Sequence, residues 1–224
     1  MAGLFQCELE GSENNVTILR ANLTSDGDAY EWITSYGNAT NTSWIFDWRI
    51  ADPQRMVFHQ KWRCQQSSVG KTAGRHATNC PAFVDIKIKK INKNTKKNDA
   101  FLKKAVPLAA VIKLREDHSH NPGCADELRL LKSTADTRAL FHGYFKDGLT
   151  PAEAMCRHQE KLAATNASME HLASGAQNPS ARTVYHWYSS WRVEPYGEPV
   201  DPIKKLGEKA ATHLQHGMSL ATAS

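Results

Sequence analysis

Residues 44–120 contain four segments in which apolar and polar side chains alternate, and the last three put cysteine or histidine on the apolar side. Period-2 alternation is the mark of strands with one buried face. Trp44, Phe46, Trp48 and Ile50 share one parity, and so do Met56, Phe58, Trp62 and Cys64. Cys80, Ala82, Val84, Ile86 and Ile88 share another, followed by Ile112, Leu114, His118 and His120. In the last three segments the thiols and imidazoles therefore face the same way as the core. The pattern C-x15-C-x37-H-x-H supplies two thiolates and two imidazoles. Histidines two apart on an extended chain project to one side, so one tetrahedral ion can take both if the cysteine strand ends meet them. The expectation is a structural Zn²⁺ held by Cys64, Cys80, His118 and His120, charge-neutral with two thiolates and two neutral imidazoles. The alternative is two buried thiols with two surface histidines. Cys124, four residues beyond His120, is a substitute ligand in reserve, while Cys7 and Cys156 read as bystanders.

Three short runs carry a resemblance: Lys61-Trp62-Arg63-Cys64, Asn79-Cys80-Pro81-Ala82-Phe83-Val84, and Arg115-Glu116-Asp117-His118-Ser119-His120-Asn121. An aromatic-Arg-Cys strand, a Cys-Pro strand and a strand ending His-x-His resemble the WRKY and glial-cells-missing (FLYWCH-like) superfamily of zinc-stabilised DNA-binding sheets. The basic insertion before the last strand is similar to the versions at the N-termini of Mutator-like transposases and their domesticated relatives. The resemblance covers roughly residues 28–122. It departs from the plant pattern at 44–50, where Trp-Ile-Phe-Asp-Trp-Arg-Ile stands in place of a basic, glycine-containing heptapeptide, so plant-type base specificity does not carry over.

The formal charge of +5 is mild for 224 residues, but it is concentrated. Residues 84–104 hold eight lysines against Asp85 and Asp99, a local +6 that suits a polyanion, or else a solvated lysine-rich loop. Once the apolar parity is assigned inward, Lys61, Arg63, Lys87 and Lys89 are left on the outward face, a natural phosphate-contacting surface together with Lys90. Arg49 and Arg55, with Asp47, are expected outward on or beside the first strand.

The first ten residues lack a basic region followed by an apolar run, and no stretch approaches the ~18 apolar residues of a membrane span. The five cysteines have no framework spacing. These observations lead us to expect a soluble protein with reduced thiols, no membrane partner and, from the resemblance, a nuclear location. No Gly-rich phosphate loop, His-Glu-x-x-His or Gly-x-Ser-x-Gly is present. An enzymatic role is not expected.

The organisation expected is α+β: a leader over 1–27, loose apart from a short strand at Leu4–Leu9, a WRKY-like antiparallel zinc sheet over 28–122, an all-α region over 123–194 and a tail over 195–224. A short helix is expected over 28–36, a tight turn at 52–55 and a loop over 65–78. Beyond Gly123, one helix is expected over 126–146 and a second from the Thr150-Pro151-Ala152-Glu153 capping box to about 164. After a polar connector, a third helix is expected from an Asn178-Pro179 cap, ending before Pro195, with weak helicity over 203–214. The three helices resemble the helix-turn-helix of transposases and recombinases, which assigns Arg182, Thr183 and His186 to base contacts, although the connector is about ten residues too long for a tight turn. The function expected is double-stranded DNA binding by a transposase-derived protein. The alternatives are a zinc-stabilised protein-protein interaction module, using the helical region for partners, and a truncated transposase fragment lacking its nuclease domain.

Overall fold

The computed structural model describes residues 5–51, 53–67, 78–165 and 167–196. Residues 68–77 of the loop expected over 65–78, Asp52 of the expected turn and the tail beyond 196, with its expected weak helicity over 203–214, lie outside the described residues. The chain is mixed α+β and divides into two units, Met1–Lys132 with Ser168–Ala176, and Ser133–Ala167 with Gln177–Ser224.

The first unit is built on a six-stranded antiparallel sheet: β1 (Cys7–Glu13), β2 (Val16–Ala21), β3 (Trp44–Arg49), β4 (Met56–Cys64), β5 (Phe83–Lys89) and β6 (Ala110–Arg115). The spatial order is β1-β2-β6-β5-β4-β3. Helix α1 (Asp26–Thr40) covers one face. It starts at a Ser25–Asp28 capping box and stops at Asn41, whose left-handed φ of 54° ends the helical run. Just before that end, Gly37 allows the chain to double back, since a Cβ there would lie 2.7 Å from the Thr42 carbonyl oxygen. Ala29, Trp32, Ile33 and Tyr36 of α1 pack on Phe58, Trp62, Val84, Ile86, Ile88, Ile112 and Leu114, all buried. The alternation expected for β5, β6 and β4 from Phe58 onward is therefore the alternation observed, while a register shift between Met56, opposite Lys89, and Phe58, opposite Ile88, takes Met56 out of the expected parity.

Two expectations for the sheet are corrected. The leader is not loose over 7–21: β1 and β2 form a hairpin, and β2 pairs with β6 from Thr17 opposite Leu114 to Ala21 opposite Ala110. Asn14 and Asn15 turn it with φ of 49° and 61°, the positive values that short hairpin turns require. The strand expected at Leu4–Leu9 is observed as β1 from Cys7 to Glu13, and a bulge between Leu9 and Gly11 breaks its alternation, which hides its second half from a period-2 reading. The first strand of the expected motif also loses its shared parity. The register of β3 on β4 shifts between Phe46, opposite Trp62, and Trp48, opposite Lys61, so the bulge at Asp47 turns Trp48 to the face away from α1. Phe46, Trp48 and Ile50 are 58%, 39% and 37% exposed, and β3 is an edge strand rather than a core one.

The lysine-rich insertion folds rather than looping freely. Helix α2 (Lys93–Asn98) is capped by Asn92, and a 3-10 turn follows over Ala100–Lys103. Asp99 anchors it: the carboxylate, 9% exposed, lies 3.1 Å from the Arg20 guanidinium and 2.6 Å from Lys89 Nζ. Arg20 also pairs with Glu10 at 2.8 Å and sits over the Phe101 ring. Burial by itself raises the Asp99 carboxyl, but the Lys89 hydrogen bond and the Arg20 charge outweigh it and hold the group below its ordinary value.

Beyond the sheet, the single helix expected over 126–146 is two, α3 (Ala125–Arg129) and α4 (Ala135–Lys146). Thr134 separates them, its side chain accepting from the Thr137 N–H as the cap of a new helix. Helix α5 (Pro151–Ala164) has the expected capping box with proline in its first turn. The connector holds a further short helix, α6 (Met169–Ala173), which belongs to the first unit. Helix α7 (Ala181–Tyr196) passes through Pro195, and its first-turn Thr183 N–H is received by Ser180 Oγ rather than by the Asn178-Pro179 pair. In the second unit α4, α5 and α7 close over Phe141, Phe145, Ala154, Val184 and Trp187. Among the described residues no helix is long and apolar enough to cross a membrane.

Candidate metal centre

The four expected ligands arrive on three stretches of backbone. Cys64 is the last residue of β4, Cys80 lies three residues before β5, and His118 and His120 follow the end of β6. Only Cys64 is inside a strand. The extended chain keeps the alternation going beyond the ladders, with Cys80 and Ala82 buried and exposed Ser119 between two partly buried histidines. This continuation is why strand parity identifies the right residues even where no strand exists. Backbone bonds hold the ends together: Cys64 N–H donates to the Ala82 carbonyl at 3.0 Å, and the Gln66 carbonyl accepts from Thr78 and Cys80. Ser119 Oγ donates to the Thr78 carbonyl at 3.0 Å, tying the histidine segment to the Cys80 segment.

The ligand atoms of Cys64, Cys80, His118 and His120 all lie within 4.8 Å of one another, a group that could hold a metal ion. Cys64 Sγ is 3.2 Å from His120 Nε2, Cys80 Sγ is 3.4 Å from His118 Nδ1, and the two ring nitrogens are 3.2 Å apart. A tetrahedral site with metal–sulfur bonds of ~2.3 Å and metal–nitrogen bonds of ~2.05 Å has edges of roughly 3.3–3.8 Å, so the four atoms sit close to the corners such an ion needs. Both sulfurs are almost fully buried, and Trp44 packs against Cys64, Cys80 and Ala82.

Ionisation of the two thiols would call for a cation. Burial, with Cys80 alongside, pushes the Cys64 thiol up to about 12 although the Gln66 N–H donates to its sulfur. Two adjacent thiolates in this setting are tolerable only around a positive charge. Burial and the neighbouring His120 lower the pKa of His118, which keeps its imidazole neutral and able to coordinate. Outside the four, His120 Nδ1 is 3.2 Å from a carboxylate oxygen of Glu127 on α3, and Gln66 Nε2 donates to the same carboxylate. Sequence reasoning misses Glu127, because nothing in a five-residue helix marks one glutamate as facing a site. Cys124 precedes α3 as its cap residue and is not part of the group, so the structure gives the reserve ligand no place in it.

The residues expected to contact DNA are placed unevenly. Lys61, Arg63, Lys87 and Lys89 do lie on the face opposite α1, alternating with the buried positions of β4 and β5. Lys61 sits over the Phe83 ring, with Nζ 4.3 Å from its centroid, and Arg63 pairs with Asp47 at 3.3 Å. Lys89 is committed to Asp99. Lys90 is exposed and donates to the Gln54 carbonyl, and Arg55 is exposed in the same turn region. Arg49, expected outward, lies across from Gln60 instead, over the Phe58 ring and 3.7 Å from Asp26, because the bulge at Asp47 reverses the parity after it. In the second unit Arg182 and His186 are exposed on α7, and Thr183 shares a hydrogen bond with Ser180. Val184 and Trp187 face the helical core as expected.

Comparison of the chain with family models, with curated proteins and with solved structures finds no match.

Proposed function

We propose that this chain is a zinc-dependent DNA-binding protein of the WRKY and glial-cells-missing type, transposase-derived and acting in the nucleus. The observation that carries the reading is the convergence of two thiol sulfurs and two imidazole nitrogens at one end of a sheet whose other face is cationic. Thiolate and imidazole together favour zinc over calcium or magnesium, which take oxygen ligands. Four protein ligands leave no open position for water, so the ion's role is to hold the sheet ends together and not to catalyse.

For the DNA surface, Lys61 and Lys87 on the sheet and exposed Lys90, Lys93, Lys96, Lys97 and Lys103 on the folded insertion offer sequence-independent phosphate contacts. Lys89 is set aside because Asp99 holds it. Arg182 and His186 on α7 are the candidates for base contacts in the helical unit. A second reading, a protein-interaction module, is favoured by a different observation: Phe46, Trp48, Ile50 and Val57 expose apolar surface at and beside the β3 edge.

The two readings separate in a salt titration of the zinc-loaded protein against duplex DNA. DNA binding through these lysines gives an affinity that falls steeply with salt. Changing Lys87 and Lys90 to glutamate then weakens all duplexes alike and reduces the slope by about one unit per lost contact. A wild-type protein that binds no duplex at low salt, or whose affinity is indifferent to salt, rejects the DNA reading in favour of the interaction module.

A further inference from the structure

The two histidines turn different atoms toward the cluster, His118 its Nδ1 and His120 its Nε2. A ring can offer one nitrogen to a metal only if its proton stays on the other, and what receives that proton decides which nitrogen is free. For His120 the acceptor within reach is the Glu127 carboxylate, 3.2 Å from an Nδ1 that is buried and otherwise makes no hydrogen bond, with the two side chains 8% and 17% exposed. The same carboxylate accepts from Gln66 Nε2. Gln66 is buried two residues after Cys64, and its carbonyl receives the Thr78 and Cys80 N–H groups. Glu127 thus touches one histidine ligand and the bridge between the two cysteine segments.

Helix α3 is five residues long and cannot hold Glu127 in place unaided. The segment 168–176 returns to clasp it. Gly175 N–H donates to the Leu128 carbonyl at 2.8 Å, Leu128 is buried, and Asn41 Nδ2 donates to Glu170 of α6 at 2.8 Å. The approach at Gly175 is too close for any side chain: a Cβ there would lie 2.6 Å from the carbonyl oxygens of both Arg129 and Leu131.

We infer that Glu127 is the positioning residue of the metal centre, fixing His120 to bind through Nε2, and that the clasp of α3 by residues 168–176 sets the affinity for zinc from outside the ligand set. The inference rests on the metal-binding reading above. It extends the metal-dependent unit well past residue 122.

The test uses the full chain, with zinc affinity measured by competition against a chromophoric chelator and the His120 ring nitrogens observed by ¹⁵N NMR. In the zinc-loaded wild type His120 shows a protonated Nδ1 and a metal-bound Nε2. Glu127→Ala loses roughly 10- to 100-fold in zinc affinity, the range found for removing such outer partners. Glu127→Gln, which keeps the shape and one acceptor, loses less, and it carries the comparison if the alanine variant does not fold. Gly175→Val, which touches no ligand, weakens zinc several-fold. Wild-type affinity in both Glu127 variants, or His120 bound through Nδ1, overturns the positioning role alone, and unchanged affinity in Gly175→Val overturns the clasp. A wild-type chain that takes up no zinc overturns the metal reading along with it.

Discussion

In the sheet unit, α1 covers the middle of one face with aromatic and aliphatic side chains, and the packing gives way at the strand ends to two thiols and two imidazoles. In the helical unit, α4, α5 and α7 enclose Phe141, Phe145, Val184 and Trp187, and the polar group buried there, His158, is 2.7 Å through Nε2 from the Gln177 carbonyl. Among the described residues the second unit holds no comparable group of metal-ligating side chains. The first brings two thiols and two imidazoles together at its strand ends, a set that a metal ion could join. The stability of one unit should therefore follow metal and that of the other should not.

The largest effect expected is on the sheet unit when its metal is withdrawn. The apparent binding energy of structural zinc in small domains is about 10–16 kcal/mol near neutral pH, which exceeds the stability of most domains of this size. Cys80→Ala, or chelation of the wild type, should unfold the sheet while α4, α5 and α7 keep their protection in hydrogen exchange resolved by segment. Loss of protection in both units at once would break the distinction.

The converse variant is Phe141→Ala. Its ring is buried against Phe145, Trp187 and His158, and deleting such a side chain costs about 3–5 kcal/mol. The helical unit should melt earlier with zinc content unchanged.

Asp99→Ala sharpens the comparison within the sheet unit, because it attacks a part held by charge and not by metal. Removing the carboxylate leaves Arg20, 5% exposed, with Glu10 alone, a loss on the order of 3 kcal/mol when a buried pair is broken. The pH dependence has a definite sign. The folded-state pKa of Asp99 is depressed below the ordinary 3.8, so its contribution is present above about pH 4 and is lost as pH falls through the folded value. Thermal melts of wild type and Asp99→Asn should therefore converge as the pH is lowered below 4.

The smallest effect belongs to Thr150→Ala, which removes the α5 cap and its exchange with Glu153. It should cost about 1 kcal/mol, confined to the helical unit.

Much of this was legible in the chain because the relevant signals are local. Residues 58–64, 80–88 and 110–115 alternate between buried and more exposed positions without interruption, so both the core face and the ligand set could be read from parity. The capping box at Thr150 located α5 in the same way. What escaped depends on bulges and on distant partners. The bulges at Glu10 and Asp47 each reverse the parity of a strand, which hid the second half of β1 and turned Trp48 and Ile50 away from the expected core, while Phe46, ahead of its bulge, is exposed because β3 is an edge strand. The Asn14-Asn15 turn was the available sign of the first hairpin. The break between α3 and α4 lies inside an unbroken apolar period, and only the Ser133-Thr134 pair marks it. Glu127 has no local mark, since its place beside His120 is made by a segment forty residues further on.

The most direct test of the account is the zinc content of the purified full chain and of single-residue variants, measured by elemental mass spectrometry against protein concentration. The account predicts one equivalent per chain in the wild type, in Cys7→Ala and in Cys124→Ala, and loss of it in Cys64→Ser, Cys80→Ser, His118→Ala and His120→Ala. A wild type without zinc, or ligand variants that retain a full equivalent, would contradict it.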